Sequence, residues 1–283
     1  MLLPLVSVGI PTYNRPEGLK ETLNRLKQQT YSQIEIIISD NCSPDERVQT
    51  IGLEAAKHDS RIRFYRQKEN IEAEPNFNFV FNQARGKYFM WMSDDDAFEA
   101  NYIETLVDFL EKNPSYVHAV GIAHYEKNGQ ILLSEKGDSI EQNTPQARLL
   151  QYIAQVRKNG LFYGLFRKDI PIREPFKNQV GTDWCLIAQF AWLGKIKRLE
   201  TTSYQRSLDG GSATRSRMTS RWKMTGIKRS FFESYVAYKV CTGIFVDELA
   251  CEGNLFLKAY IFIWLHFKFI WNSIRKRFDK NYV

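Results

Sequence analysis

The sequence predicts an α/β domain built on an open, mostly parallel sheet with helices on both faces. Three observations lead there. Four short apolar runs alternate with four helical repeats within the first 112 residues, the pattern of β-α units. A polar cluster follows each run, as expected where parallel strands end in loops along one sheet edge. The chain has 283 residues, 43% of them hydrophobic and 25% charged. That suits one large domain or two small ones with a substantial core, and excludes a disordered or collagen-like chain.

The elements follow in order. Leu5 to Ile10 is a short apolar run, as expected of a buried parallel strand. Pro11 to Pro16 is a loop, and Pro16 suits the first turn of a helix. Leu19, Leu23 and Leu26 recur at helical spacing and give that helix one apolar face. Ile34 to Ser39 is the second strand. The turn cluster Asp40 to Asp45 leads into a helix ending near residue 58. Ile62 to Arg66 is the third strand, followed by a helix bearing Phe77, Val80, Phe81 and Ala84. Lys87 to Met92 is the fourth strand. A helix from Tyr102 to Lys112 stops at Asn113-Pro114. Val117 to Tyr125, Gly129 to Ser134 and Leu161 to Phe166 read as further strands, and Gly181 opens a helix reaching about Leu193.

Several function classes drop out. No Gly-x-Gly-x-x-Gly and no Walker lysine motif is present, which counts against dinucleotide enzymes and P-loop nucleotidases. Cys42, Cys185, Cys241 and Cys251 are far apart, so zinc-ribbon and Cys-x-x-Cys redox chemistry are excluded and reduced thiols are expected. The histidines, His58, His118, His124 and His266, have no metal-like spacing and are expected in packing or surface roles. No nucleophile elbow or Ser-His-Asp order is visible. The segment from Met1 to Val8 reads as the approach to a strand and not as a signal peptide. No uninterrupted apolar run of about 20 residues marks a spanning helix.

Strand ends are where ligands bind in such sheets. The candidates are therefore Pro11–Asn14, Asp40–Ser43, Gln67–Asn70 and Ser93–Asp96. Asp94, Asp95 and Asp96 are three adjacent carboxylates that repel one another. A divalent cation would offset that repulsion, since hard oxygen ligands suit Mg2+ or Mn2+. A solvated turn whose Asp caps the next helix is the alternative. Asp40 either accepts a hydrogen bond from a base or ribose, or closes an Asx-type turn or helix cap.

Several ordered pieces together resemble the inverting family 2 glycosyltransferases with the GT-A nucleotide-diphospho-sugar fold. Val6 to Arg15 looks like the family's opening strand and loop, and Ile36 to Ser43 like its second-strand motif. Asn70, with Asn76, Asn78 and Ala84 to Tyr88, looks like the lead-in to the metal site. Ser93 to Asp96 looks like the Asp-x-Asp element. The likeness is strongest to subfamilies that build bacterial surface polysaccharides, deoxysugar transferases included.

The resemblance implies roles. Pro11, Thr12, Tyr13, Asn14, Arg15 and Asn70 would line the donor pocket, with Asp40 on a uracil or thymine imide. Asp94 and Asp95 would hold the ribose and order the site. Asp96, with Asp94, would coordinate Mn2+ or Mg2+ on the diphosphate of a UDP- or dTDP-sugar. Asp183, at a helix start in a Thr-Asp context, would be the base that deprotonates the acceptor hydroxyl. The alternative for Asp183 is a carboxylate answering the helix dipole. Tyr204 to Arg217 looks like the family's mobile segment after the last core strand. Gly210 and Gly211 would be its hinge, and Arg206, Arg215 and Arg217 would face the leaving diphosphate. A plain solvated loop is the alternative. Many relatives carry a His before this Gly-Gly-Ser stretch, where this chain has Ser207-Leu208-Asp209. The third metal ligand is thus open, with Asp209 a substitute.

The implied domains are a catalytic domain over residues 1–218 and a helical extension over 219–283. Residues 1–112 would form the nucleotide-sugar half and 113–218 the acceptor half. The net charge of +7 sits in the last 83 residues, which hold 14 Lys/Arg against 6 Asp/Glu. Leu255 to Trp271 is dense in aromatic and aliphatic residues, and Arg275, Lys276, Arg277 and Lys280 follow. A helix lying on an anionic membrane surface fits that composition. Homodimerisation and core packing are the alternatives. No nucleic-acid reader motif accompanies the charge. The expected location is cytoplasmic, peripheral on the inner face of the plasma membrane, with a glycan or lipid-linked acceptor. Two rival readings are a sugar-nucleotidyltransferase and a catalytically idle membrane-surface or interaction protein of the same fold. The first lacks its Gly-rich triphosphate loop, and the intact acidic cluster argues against the second.

Overall fold

A computed structural model describes residues 3–135, 139–155, 160–172, 175–176 and 181–208, together with Ile263 and Phe267. The elements run β1 (Val6–Thr12), α1 (Pro16–Lys27), β2 (Ile34–Asp40), α2 (Glu46–His58), β3 (Ile62–Arg66), α3 (Ala73–Asn82) and β4 (Tyr88–Trp91). They continue β5 (Ala97–Phe98), α4 (Tyr102–Lys112), β6 (Tyr116–Lys127), β7 (Gln130–Glu135), α5 (Pro145–Gln155), β8 (Leu165–Arg167), α6 (Thr182–Leu193) and β9 (Lys195–Ser207). The chain forms two compact units. One holds residues 1–141, 160–177 and 194–208, and the other 142–159, 178–193 and 209–283. The proposed boundary at residue 218 lies outside the described residues.

The first unit carries the sheet, in the order β3-β2-β1-β4-β8-β6-β9-β5, with β7 beside β6. β1 pairs in parallel with β2 and β4, and β2 with β3. Their carboxyl ends therefore share one edge. The order reverses between β1 and its two neighbours, which places a crevice over the ends of β1 and β4. Val6, Val8, Ile10, Ile36, Ile37 and Ile38 are all buried, and so are Ser7 and Gly9 between the β1 aliphatics, as expected of strands covered on both faces. β8 enters antiparallel between β4 and β6, and β9 runs parallel to β6.

Helices cover the sheet through the faces the sequence marks. α1 buries Leu19, Leu23 and Leu26. α4 buries Tyr102, Ile103, Leu106, Val107 and Leu110. α3 approaches β1 so closely that a Cβ on Gly9 would stand 2.7 Å from both Val80 and Phe89. Beyond it Trp91 stacks on Phe162 at 5.7 Å, inside a cluster with Phe77, Phe81, Phe166 and Phe176.

The second unit contains α5 and α6. Leu149, Tyr152 and Ile153 of α5 are buried, as are Cys185, Leu186, Ile187, Phe190 and Ala191 of α6. Arg148 donates from Nε to the Ala191 carbonyl at 2.7 Å and from Nη2 to the Trp192 carbonyl at 2.9 Å. It thereby closes the carbonyl end of α6, where a cation is favoured. Burial lowers its pKa from the ordinary guanidinium value.

The histidines take packing and surface roles. His118 is buried, hydrogen-bonded to the Leu161 carbonyl at 2.7 Å, and burial lowers its pKa to about 4. His58 is exposed beside Glu54, and His124 meets Ser134. Cys42 and Cys185 are free thiols. His266, Cys241 and Cys251 lie outside the described residues. No helix among the described residues is long and apolar enough to cross a membrane.

Candidate active site at the β1–β4 edge

The loop after β4 carries the acidic cluster. Thr12, the last residue of β1, donates its hydroxyl to Asp94 Oδ2 at 2.7 Å. This bond spans the crevice between β1 and β4. Arg15 Nη1 lies 2.7 Å from Asp95 Oδ2 and 3.4 Å from Asp94 Oδ1. The Ser93 hydroxyl donates to the other Asp95 oxygen. Asp96 differs from both. Its Oδ1 accepts the Ser207 backbone N–H at 3.2 Å, while its buried Oδ2 has no hydrogen-bond partner among the described residues. A bare carboxylate oxygen at a residue only 2% exposed is costly unless something else occupies it.

The electrostatics follow from burial. Burial pushes the Asp94 carboxyl up to about 6, against the Thr12 hydroxyl and the Arg15 charge, which favour the anion. Burial and the neighbouring Asp95 push Asp96 up to about 7, against Arg206 and the Ser207 N–H. Arg206, on β9, lies over the Tyr163 ring at 5.4 Å. Burial opposes its charge, but Tyr163, Tyr204, Tyr125 and Asp96 outweigh that and raise its pKa. The site thus sets one cation beside one under-solvated carboxylate.

The loop after β2 is tied differently. Asp40 is fully buried. Its Oδ1 accepts from the Ser43 N–H at 3.0 Å and the Ser43 hydroxyl, and its Oδ2 from Arg66 Nη1 at 2.6 Å. Of the two roles open to Asp40, the turn-closing one is present. Ser43 Oγ also accepts the Asn14 N–H at 2.8 Å, which joins this loop to the one after β1. Asn70 accepts from Asn41 at 3.1 Å and from the Glu72 N–H at 3.0 Å, closing the loop after β3. Asn14, Cys42 and Glu72, one in each loop, have φ of 55, 57 and 70°. Non-glycine residues in that region store backbone strain, and such strain clusters at ligand sites.

Of the other expected site residues, Pro11 lies past the last β1–β4 pair, where its missing N–H costs no ladder bond. Tyr13 is exposed at 46% on the site's rim. Asp183 sits in the first turn of α6, in the second unit. Arg215, Arg217, Asp209 and the Gly210-Gly211 hinge lie outside the described residues. One correction concerns the expected loop from Tyr204. Tyr204 to Ser207 complete β9, where Tyr204 pairs with Ala123 of β6 and Phe98 of β5. Asn76 and Asn78 hold backbone and side chains of the fold. Asn76 bonds to Ser39, and Asn78 makes a two-way bond with the Phe176 backbone. Sequence reading missed Gly18, Thr22 and Arg25 of α1, which meet the acidic loop. Their signal was a small and polar stripe at helical spacing beside the leucine face.

Among the described residues no group of three or more His, Cys, Asp or Glu forms a metal cage. The carboxylate oxygen of Asp96 fits a hard divalent cation, which commonly takes one or two protein carboxylates and completes its shell from substrate phosphates and water.

The family model described as Glycosyl transferase family 2 matches residues 7–170, which include the loops after β1, β2, β3 and β4. The chain belongs to glycosyl transferase family 2. A GalNAc(5)-diNAcBac-PP-undecaprenol beta-1,3-glucosyltransferase of Campylobacter jejuni is 26% identical over 179 residues, 62% of this chain and 56% of its own. An uncharacterized glycosyltransferase of Rickettsia bellii is 32% identical over 140 residues, 48% of this chain and 20% of its own. The chain thus spans between 20% and 56% of these relatives' lengths. Among solved structures, S. aureus TarS 1–349 in complex with UDP-GlcNAc superposes with a TM-score of 0.60. It is 16% identical, over 94% of this chain and 80% of that one. The mannosyltransferase PcManGT of Pyrobaculum calidifontis, with GDP-Man and Mn2+, gives 0.55 at 12% identity, over 96% and 88%. Those identities show the fold alone, and the family 2 chain has the GT-A arrangement.

Proposed function

We propose that the chain transfers one sugar from a UDP- or dTDP-linked donor to an acceptor hydroxyl, with inversion and with Mn2+ or Mg2+. The observation that carries this reading is the buried Asp96 oxygen without a hydrogen-bond partner among the described residues, beside Arg206 at the carboxyl edge of the sheet. The nucleotide-sugar complexes of TarS and PcManGT support the donor class, and PcManGT supports the cation. The Campylobacter relative's name supports an acceptor on a lipid-linked glycan.

In this reading Asp96 would hold the cation, beside an Asp94 held in place by Thr12 and Arg15, and the ion when bound supplies positive charge to the leaving diphosphate. Among the described residues Asp40 Oδ2 accepts only Arg66, so it has acceptor capacity left for an imide N–H of uracil or thymine. Thr12, Tyr13 and Asn14 line the same edge. Arg206 offers a fixed charge to the developing phosphate anion without reorganising. Asp183 takes the proton of the acceptor hydroxyl as its oxygen bonds to the anomeric carbon and the carbon–diphosphate bond breaks. In an Asp183→Ala chain donor binding is expected to persist, while transfer falls by about 10²-fold or more. Unchanged turnover there would remove Asp183 as the base.

The C-terminal charge and the exposed Ile263 and Phe267 support a peripheral place on an anionic cytoplasmic membrane face. Flotation with anionic liposomes tests that placement against a dimer contact.

A further inference from the structure

Arg15, Gly18, Thr22 and Arg25 recur at spacings of three, four and three, so they share one face of α1 and its entry. All four meet the acidic loop. Arg25 Nη1 donates to the Asp96 carbonyl at 2.8 Å, and the Thr22 hydroxyl to the Ser93 carbonyl at 3.3 Å. Gly18 passes so near that an added Cβ would stand 2.1 Å from the Asp94 carbonyl oxygen. These three contacts grip the loop's backbone. Arg15 alone acts on its carboxylates.

The result is an asymmetric sorting of six oxygens. Asp94 has Thr12 on one oxygen and Arg15 on the other. Asp95 has Arg15 on one and Ser93 on the other. Asp96 has Ser207 on one and, among the described residues, none on the other. Three adjacent carboxylates offer a divalent ion several competing places to bind.

We propose that this face of α1 is a mould for the acidic loop, with Arg15 a positioning residue that occupies Asp94 and Asp95 so that a divalent cation is taken at Asp96. The proposal rests on the divalent-cation reading above. It gives Arg15 a task other than direct contact with the donor. One guanidinium nitrogen touches both carboxylates, so a lysine ammonium at the same place would supply the same charge, though without the planar fork.

The test titrates Mn2+ alone, and Mn2+ with UDP, into the full-length chain while free Mn2+ is counted by electron paramagnetic resonance. Transfer kinetics and melting temperature are measured alongside. Arg15→Gln is expected to bind bare Mn2+ about tenfold tighter, or to take a second ion, because a cation within reach of two carboxylates has been removed. Its kcat should nonetheless fall by about tenfold or more, and Arg15→Lys should move both values back toward the parent. Unchanged Mn2+ binding with a raised donor KM would overturn the proposal and make Arg15 a donor contact. Mn2+ affinity and melting temperature falling together would overturn it in favour of a plain structural brace. A parent chain that takes no Mn2+ with or without UDP would overturn the cation reading itself, and this proposal with it.

Discussion

An Asp96→Asn chain is expected to lose transfer by about 10³-fold, the scale of removing one charged contact from a developing transition state. The substitution keeps an acceptor for the Ser207 N–H, seen at 3.2 Å, and removes the anionic oxygen that has no partner. Fold and activity should therefore separate. Asp96 has its pKa pushed up to about 7, first by burial and then by Asp95, and burial raises Asp94 to about 6. Both lie above the ordinary carboxylate value, so the folded chain binds more protons than the unfolded one between about pH 4 and 7. The stability these groups contribute is full below about pH 4 and is lost as pH rises through 6 to 7. Melting of the cation-free parent should weaken over that window, and the Asp96→Asn profile should be flatter. Equal slopes for the two chains would contradict the buried-carboxylate account, and full transfer in the variant would remove Asp96 from the chemistry.

Gly18→Ala is the second large effect, and its sign separates local propensity from tertiary fit. Helix propensity favours Ala over Gly by at most about 1 kcal/mol, the figure for a helix interior, and Gly18 lies in the first turn of α1. Here the new Cβ would meet the Asp94 carbonyl at 2.1 Å, and that neighbour is backbone with little freedom to give way. Overpacking of this kind costs about 1–3 kcal/mol, so the net effect is expected to be destabilising. The displaced loop carries Asp94 to Asp96, so donor binding should weaken as well. Gly129 is the control. Its φ is 78° and nothing lies within 4 Å of an added Cβ, so Gly129→Ala should cost only backbone strain, about 1 kcal/mol, and leave transfer intact. Denaturant unfolding of the two variants beside the parent reads both effects. A Gly18→Ala chain more stable than the parent would contradict the close approach of α1 to the acidic loop.

The parallel half of the sheet was legible because its inner strands are covered on both faces and carry short apolar runs, with Val6, Val8 and Ile10 in β1, Ile36 to Ile38 in β2 and Tyr88 to Trp91 in β4. The strand-end clusters were legible because loops over a sheet edge must be polar. β5 was not legible, since two residues carry no period. α5 hides its character because Arg148 lies inward, where carbonyls of α6 satisfy it. β9 runs through Glu200 and Thr201, an exposed polar stretch in mid-strand, and its partner β6 is bulged. Within the site, residue type located the carboxylates but not their partners. Nothing in the run Asp94-Asp95-Asp96 tells which oxygen Thr12, Arg15 or Ser207 will occupy, because those contacts join residues 79 to 111 positions apart. The same holds for Asn70, Asn76 and Asn78, whose amides bind the chain itself.

The most direct measurement is calorimetric binding of UDP, dTDP, GDP and CMP to the full-length chain, with and without Mn2+. The account predicts binding of UDP or dTDP that depends on Mn2+ and is lost in the Asp96→Asn chain. No binding of any nucleotide, or binding indifferent to both Mn2+ and Asp96, would contradict it.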